Sequence, residues 1–147
     1  MTDMQASLGL HQLARLEENL KVREKHWERY NEAFADIPEI ITSREEDGIR
    51  HARHLYTILL RLEMLRIDRN GFIQALKAEN IGAGIHFTAL HLHAYYAQTY
   101  GFRPGDFPNA EFIGERTISL PLSPKLSDKD AQDVIEAVIS LIRYYRR

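Results

Sequence analysis

"HLYTILLRLEMLRIDRNGFIQALKAEN", residues 54 to 80, changes its hydrophobic period partway along. Tyr56, Ile58, Leu60 and Leu62 alternate with Leu55, Thr57 and Leu59, which is the period of two that a strand shows its two faces. Beyond Ile67 the spacing becomes helical, with Phe72, Ile73 and Leu76 on one side and Ile81 a turn further on. Asp68 offers the side-chain oxygen of an N-cap. Asn80 tolerates the left-handed backbone at the other end, and Ile81 is placed for the apolar contact that follows such a stop. A strand running straight into an amphipathic helix requires a sheet with a helical layer on it.

Working outward, residues 3 to 34 predict one long helix. Met4, Leu8, Leu13, Leu16, Leu20, Trp27, Tyr30 and Phe34 recur at helical spacing, while Glu17, Glu18, Lys21, Arg23 and Glu24 take the other faces. Gly9 weakens it near the start, since an interior glycine costs about 1 kcal/mol against alanine. Asp36 and Pro38 close it. "SREEDGIRHAR", 43 to 53, has no apolar period and predicts a surface loop. On the other side, "GAGIHF" at 82 to 87 and "RTISLPL" at 116 to 122 predict two further short strands. The last helix is the clearest. Ser127 with Asp130 makes a capping box, Ala131, Val134, Ile135, Val138, Ile142 and Tyr145 form one apolar face, and three basic residues suit the last turn.

The expected class is therefore α+β: a small antiparallel sheet of about three strands covered by helices on one side, with a long N-terminal helix. The stripe on that first helix extends about 50 Å at 1.5 Å per residue. That exceeds the width of the domain the rest of the chain can build. Part of it should pack on something outside that domain, or on a second copy, and a homodimer is the expectation.

Composition narrows the function classes. The 147 residues are 44% apolar and 27% charged, the profile of one globular domain. A net charge of −2 gives no basic field for nucleic acid. Without cysteine there are no disulfides, thiolate nucleophiles or thiolate metal sites. No apolar run approaches the roughly 20 residues that span a bilayer, and the start has no signal-peptide pattern, so the cytoplasm is the expected setting.

The candidate chemistry gathers in "NIGAGIHFTALHLH", 80 to 93, where His86, His91 and His93 fall close together. Imidazole suits zinc, copper or nickel, yet Glu79 and Asp106, the acidic residues nearest in sequence, have no ligand spacing. His51 and His54 in "HARH" likewise lack anything to complete a site. No metal is expected. There is no GxSxG, and Ser119 alternates like an ordinary strand residue. "GAG" at 82 to 84 has no phosphate-loop partners, and its simpler reading is a sharp turn or close backbone approach. The residues alone reach an α+β domain with an incomplete site.

Four stretches in order resemble the C-terminal part of the DegT/DnrJ/EryC1/StrS family of nucleotide-sugar aminotransferases: "MTDMQASLGLHQLARL" at 1 to 16, "HARHLYTILL" at 51 to 60, "FIQALKAENIGAGIHFTALHLHAYY" at 72 to 96 and "ISLPLSPKLSDKDAQDVI" at 118 to 135. Within it, "GAGIHFTALH" is most similar to enzymes making 4-amino sugars, of the UDP-4-amino-4-deoxy-L-arabinose aminotransferase type. The resemblance implies the small C-terminal domain of a fold-type I aminotransferase that uses pyridoxal phosphate. It further implies a division into 1–36, a long helix linking to a large cofactor domain outside the chain, and 37–147, the small α+β domain.

An amino group would pass from an amino acid, glutamate by expectation, to a keto-sugar nucleotide, and a homodimer would complete both sites. The family's Schiff-base lysine has no counterpart here. Lys21, Lys25, Lys77, Lys125 and Lys129 all sit among charged neighbours, so neither catalytic nor cofactor-binding residues are expected within this chain. The family's motif implies substrate contact for His91, with His86 and Phe87 beside it at the strand end, and His93 falls outside the pattern. Ala89 and Thr88 depart from it, at positions where proline and arginine are common. Two other readings are a regulatory relative without transaminase activity and a stand-alone oligomerisation module built on the first helix.

Overall fold

The computed structural model describes residues 1–43 and 48–147; Arg44 to Asp47, part of the expected surface loop, lie outside the described residues. Helices α1 (Asp3–Ala14) and α2 (Leu16–Phe34) lead into strand β1 (Ile40–Thr42). Strand β2 (Tyr56–Leu60) and helix α3 (Arg69–Ala78) follow. Two short helices, α4 (Ala94–Tyr100) and α5 (Pro108–Arg116), precede β3 (Thr117–Leu120), and α6 (Asp128–Tyr145) ends the chain. The sheet is antiparallel in the order β1-β2-β3, with Ile40 opposite Leu60 and Ile58 opposite Ile118. The α+β class with three antiparallel strands and a helical cover holds.

The period-two reading of β2 holds from Tyr56 to Leu60, whereas Leu62, expected on the same face, lies beyond the strand in a 3₁₀ turn. Tyr56, Ile58 and Leu60 are buried, and Thr57 and Leu59 are half-buried on the other side. Above the buried face, α2, α3 and α6 pack with Trp27, Tyr30, Phe34, Phe72, Leu76 and Val138 into one core. Each buried side chain of this size contributes about 1.5–3 kcal/mol relative to exposure. Core phenols keep partners: Tyr30 donates to the Pro121 carbonyl at 2.9 Å and Tyr56 to Asn31 Oδ1 at 2.9 Å. Burial raises both hydroxyls well above the ordinary tyrosine range.

The end signals are realised as well. Asp68 accepts from the Gly71 amide at 2.7 Å. Asn80 adopts φ 59, and the Ile81 amide returns to the Leu76 carbonyl at 2.9 Å. Ser127 and Asp130 form a reciprocal capping box at the start of α6. Of the three basic residues expected in the last turn, Arg143 lies within it, whereas Arg146 and Arg147 pass beyond the helix. Arg146 pairs with Glu39, which is 1% exposed, and Arg147 donates to the Leu65 carbonyl.

Two expectations are corrected. The first helix is not continuous: it breaks at Arg15, whose φ/ψ of −102/0 leaves the helical region. The Arg15 guanidinium Nε donates to the His11 carbonyl at 3.3 Å, the acceptor its own amide would take in an unbroken ladder. That amide bonds the Gln12 carbonyl instead, at 3.2 Å. The two halves also differ in packing. α1 buries nothing, with Met4 80%, Leu8 66% and Leu13 67% exposed, whereas α2 buries Leu20, Trp27, Tyr30 and Phe34.

The second correction concerns "GAGIHF", which forms no strand. A single bridge joins Gly84 to Ser119 on the outer edge of β3, and the third strand is Ile40–Thr42 instead. Gly82 and Gly84 have no side chain and Ala83 only a methyl group, too little packing surface to extend the ladder.

Candidate functional site

The site is built where the chain leaves α3 and touches the edge of β3. Gly84 and Ser119 exchange backbone hydrogen bonds of 3.0 and 2.8 Å, which pins the segment. The His86 ring then folds back over Gly84. A Cβ on Gly84 would lie 2.9 Å from His86 Cε1, so a larger residue there would make the ring shift. His86 Nδ1 lies 2.8 Å from Ser119 Oγ, giving the buried strand hydroxyl its partner. What a Cβ on Gly84 would meet is thus the His86 ring and not a backbone, while Gly82 has open space around its Cα.

Phe87 follows through a cis peptide and stands 72% exposed, its ring edge-on to His86 at 4.8 Å. The loop next lies on α5 at Gly114, where a Cβ would sit 2.8 Å from the Ala89 amide nitrogen and 3.3 Å from the Phe87 carbonyl. This contact fixes the height of the loop above the helix.

His91 turns the other way. It is 6% exposed, and its Nε2 lies 2.8 Å from Glu111 Oε1, with the Phe107 ring 4.9 Å off. The same carboxylate oxygen accepts the Gly105 amide at 2.7 Å, and Gly105 adopts the φ of 96 that the turn needs. The Gly105 amide, and after it the His91 hydrogen bond, hold the Glu111 carboxyl below the ordinary glutamate value. Beside His91 opens a groove of about 410 Å³ walled by Leu90, Tyr96, Tyr100, Phe102 and Phe107.

The structure therefore brings His86 and Phe87 together at an exposed edge and gives His91 its own network with α5. His93 is exposed and caps α4 without a side-chain hydrogen bond. His51 packs on Trp27 at 5.2 Å and accepts the Arg53 amide. Among the described residues, no three His, Asp or Glu side chains converge as a metal-binding group. Glu111 was missed by the sequence reading because it lies 20 residues from His91, outside the neighbourhood where ligand spacings are sought. The available signal was Pro108, which opens a new helix and so returns Glu111 toward the loop.

A Schiff base to pyridoxal phosphate needs a lysine withdrawn from water. All five lysines are exposed; Lys25 is paired with Asp128 at 2.7 Å and Lys129 with Asp133 at 2.6 Å. The residues present do not fit the cofactor's covalent site.

Comparison with known proteins gives these side chains a context. The sequence model of the DegT/DnrJ/EryC1/StrS aminotransferase family matches residues 1–139. The Bacillus subtilis spore coat polysaccharide biosynthesis protein SpsC is 46% identical over 144 residues, covering 97% of this chain and 37% of its own length. An uncharacterised Methanocaldococcus jannaschii protein, MJ1066, is 46% identical over 142 residues with the same coverage. Spr1654, a candidate sugar aminotransferase of Streptococcus pneumoniae in its PLP-form, superposes with a TM-score of 0.89 at 33% identity, over 98% of this chain and 36% of that one. The chain thus spans a little over a third of the relatives it matches.

Proposed function

The chain belongs to the DegT/DnrJ/EryC1/StrS aminotransferase family, and from that premise we propose that it serves as the small C-terminal part of an enzyme that moves an amino group from an amino acid, glutamate by preference, to a keto-sugar nucleotide. One observation carries the proposal: nearly the whole chain follows the fold of a sugar-aminotransferase relative in its PLP-form, with no unmatched domain of its own. In this reading residues 1–36 link to a large domain that holds pyridoxal phosphate, and residues 37–147 close over the sugar. Two copies complete the sites. The cofactor supplies the electron sink for amino transfer, and in this reading its lysine belongs to the large domain, which the exposure of Lys21, Lys25, Lys77, Lys125 and Lys129 supports.

The tasks left to this chain are binding and orientation. Phe87, exposed and held by the Gly114 contact, offers an aromatic face to a sugar ring. His86 has one ring nitrogen engaged by Ser119 and the other available to the substrate. His91, turned away from them, is a polar member of the separate aromatic groove. A stand-alone oligomerisation module is the competing reading, favoured by the uncovered apolar stripe of α1.

The test is a chimera in which this chain replaces the matching 37% of the Bacillus subtilis relative. Transfer from glutamate to a keto-sugar nucleotide is expected. His91→Ala should lower kcat/KM by more than about tenfold, or 1.4 kcal/mol, and His93→Ala should stay within about 0.5 kcal/mol of wild type. A chimera that folds and retains pyridoxal phosphate but transfers no amino group would refute the proposal.

A further inference from the structure

Glu111 has no part in the functions assigned above, yet its geometry dictates the chemistry of His91. One carboxylate oxygen receives both the Gly105 amide at 2.7 Å and His91 Nε2 at 2.8 Å. A carboxylate has no proton to give, so the proton in the second bond resides on Nε2. Neutral imidazole carries a single N–H, and its other nitrogen is then an acceptor. Among the described residues no hydrogen bond reaches His91 Nδ1. Nδ1 is therefore the polar atom that His91 has left for any occupant of the groove it lines with Tyr96, Tyr100, Phe102 and Phe107.

The other walls narrow the occupant. Tyr96, Tyr100, Phe102 and Phe107 wall it with aromatic rings, and no lysine or arginine lines the groove. A phosphate would find no cationic side chain to offset its desolvation there, only aromatic rings, two phenol hydroxyls and the Nδ1 lone pair. A neutral ring can lay its C–H or π face on the aromatics and give a proton to Nδ1.

We propose that Glu111 is a positioning residue that locks His91 in the Nε2–H form, so that the groove takes a ring bearing an O–H or N–H donor and not a phosphate group. The identity of that ring rests on the proposed function: it is the sugar or the base of a nucleotide sugar. The lock itself does not depend on that reading.

Nitrogen-15 histidine spectra of the 147-residue chain test the lock without any ligand. Wild type should show His91 as the Nε2–H tautomer with an observable, slowly exchanging ring proton. Glu111→Gln should keep both, because the Gly105 amide holds the amide oxygen in the carboxylate oxygen's place. Glu111→Leu should lose the protected proton and average between tautomers. An Nδ1–H tautomer in wild type, a ring protonated at both nitrogens at neutral pH, or a Leu variant indistinguishable from wild type overturns the proposal. If the Leu variant fails to fold, the wild-type tautomer and its ring proton decide alone.

Titration of the chimera with the Bacillus subtilis relative, in which the large domain and a second copy are present, with UDP, UDP-glucose and inorganic phosphate then tests the groove. A response to UDP-glucose but not UDP assigns the donor to the sugar, and a response to both assigns it to the base. Affinity should weaken in Glu111→Leu by the factor by which the Nε2–H form is depopulated, about twofold for an even tautomer mixture, and should not change in Glu111→Gln. Phosphate moving Nδ1 while UDP-glucose does not refutes the donor rule. A locked tautomer with no response to either nucleotide leaves the role of Glu111 intact and refutes the sugar reading.

Discussion

Replacing Gly114 by alanine tests whether the loop carrying Phe87 and His91 is set by its contact with α5. Two effects oppose each other. Alanine gains about 1 kcal/mol over glycine inside a helix. The new Cβ, however, would meet the Ala89 backbone nitrogen at 2.8 Å and the Phe87 carbonyl at 3.3 Å. Ordinary contact needs the loop to rise by about 0.6 Å, and overpacking of this kind costs about 1–3 kcal/mol. The net expectation is a loss of up to about 2 kcal/mol, with about 2–4 °C of melting temperature for each kcal/mol in a chain of this size. Amide resonances from Phe87 to His91 should move together, since the loop shifts as a unit. Gly9→Ala is the control. No atom lies within 4 Å of its added Cβ, so only the helical gain remains. Because α1 buries nothing, that gain should register as helical signal and slower amide exchange in α1 more than as a higher melting point. If Gly114→Ala melts at or above the wild-type temperature with unmoved loop resonances, the close approach does not fix the loop.

Further measurements probe other parts of the chain. Arg146→Ala strands the carboxylate of Glu39, which is 1% exposed, and should cost roughly 3 kcal/mol in urea unfolding, toward the low end for a broken buried pair because Arg146 is itself half exposed; a loss under about 1 kcal/mol would show that water reaches Glu39. The Glu111 carboxyl is depressed by its partners, so its contribution is complete above the ordinary value of 4.5 and disappears as pH falls through the lower folded value. Gly105 amide exchange should accordingly be steady at neutral pH and accelerate, relative to its intrinsic rate, only in that acid range; no such change would argue against the pairing. Incubation with pyridoxal phosphate and borohydride should give scattered labelling of the five exposed lysines, and one stoichiometric adduct that substrate prevents would contradict this. Helix α1 should either exchange its amides rapidly or associate with a second copy, whereas a monomer with strong protection throughout residues 4 to 20 would show that its stripe is already covered.

Legibility in the sequence followed the strength of local physics. β2, α3 and α6 could be read because burial on one face imposes a period, and because Asp68, Asn80 and the Ser127–Asp130 pair mark the ends chemically. β1 has only three residues and no room for a period, so it went unseen until β2 recruited it. "GAGIHF" misled in the opposite direction, since one backbone bridge at Gly84 needs no side-chain pattern at all. At the site, His91 was visible through family resemblance, but its orientation was not. That is decided by Glu111, a partner reached only after the chain has gone through α4 and the Gly105 turn. The Arg15 break was equally hidden, because arginine is a good helix former and the interruption comes from its side chain competing for the His11 carbonyl.

That break changes the mechanics of the N-terminal segment. An unbroken helix from residue 3 to residue 34 would be a rod of about 48 Å, and a 10° turn of the core about its anchored end would sweep the free end through about 8 Å. Stiffness of that kind would force anything touching Met4 or Leu13 to travel with the core. With Arg15 out of the ladder, rotation can be taken up in two dihedral angles. A contact made at Met4 or Leu13 would then be spared that sweep, because the turn can be absorbed at Arg15 before it reaches α1.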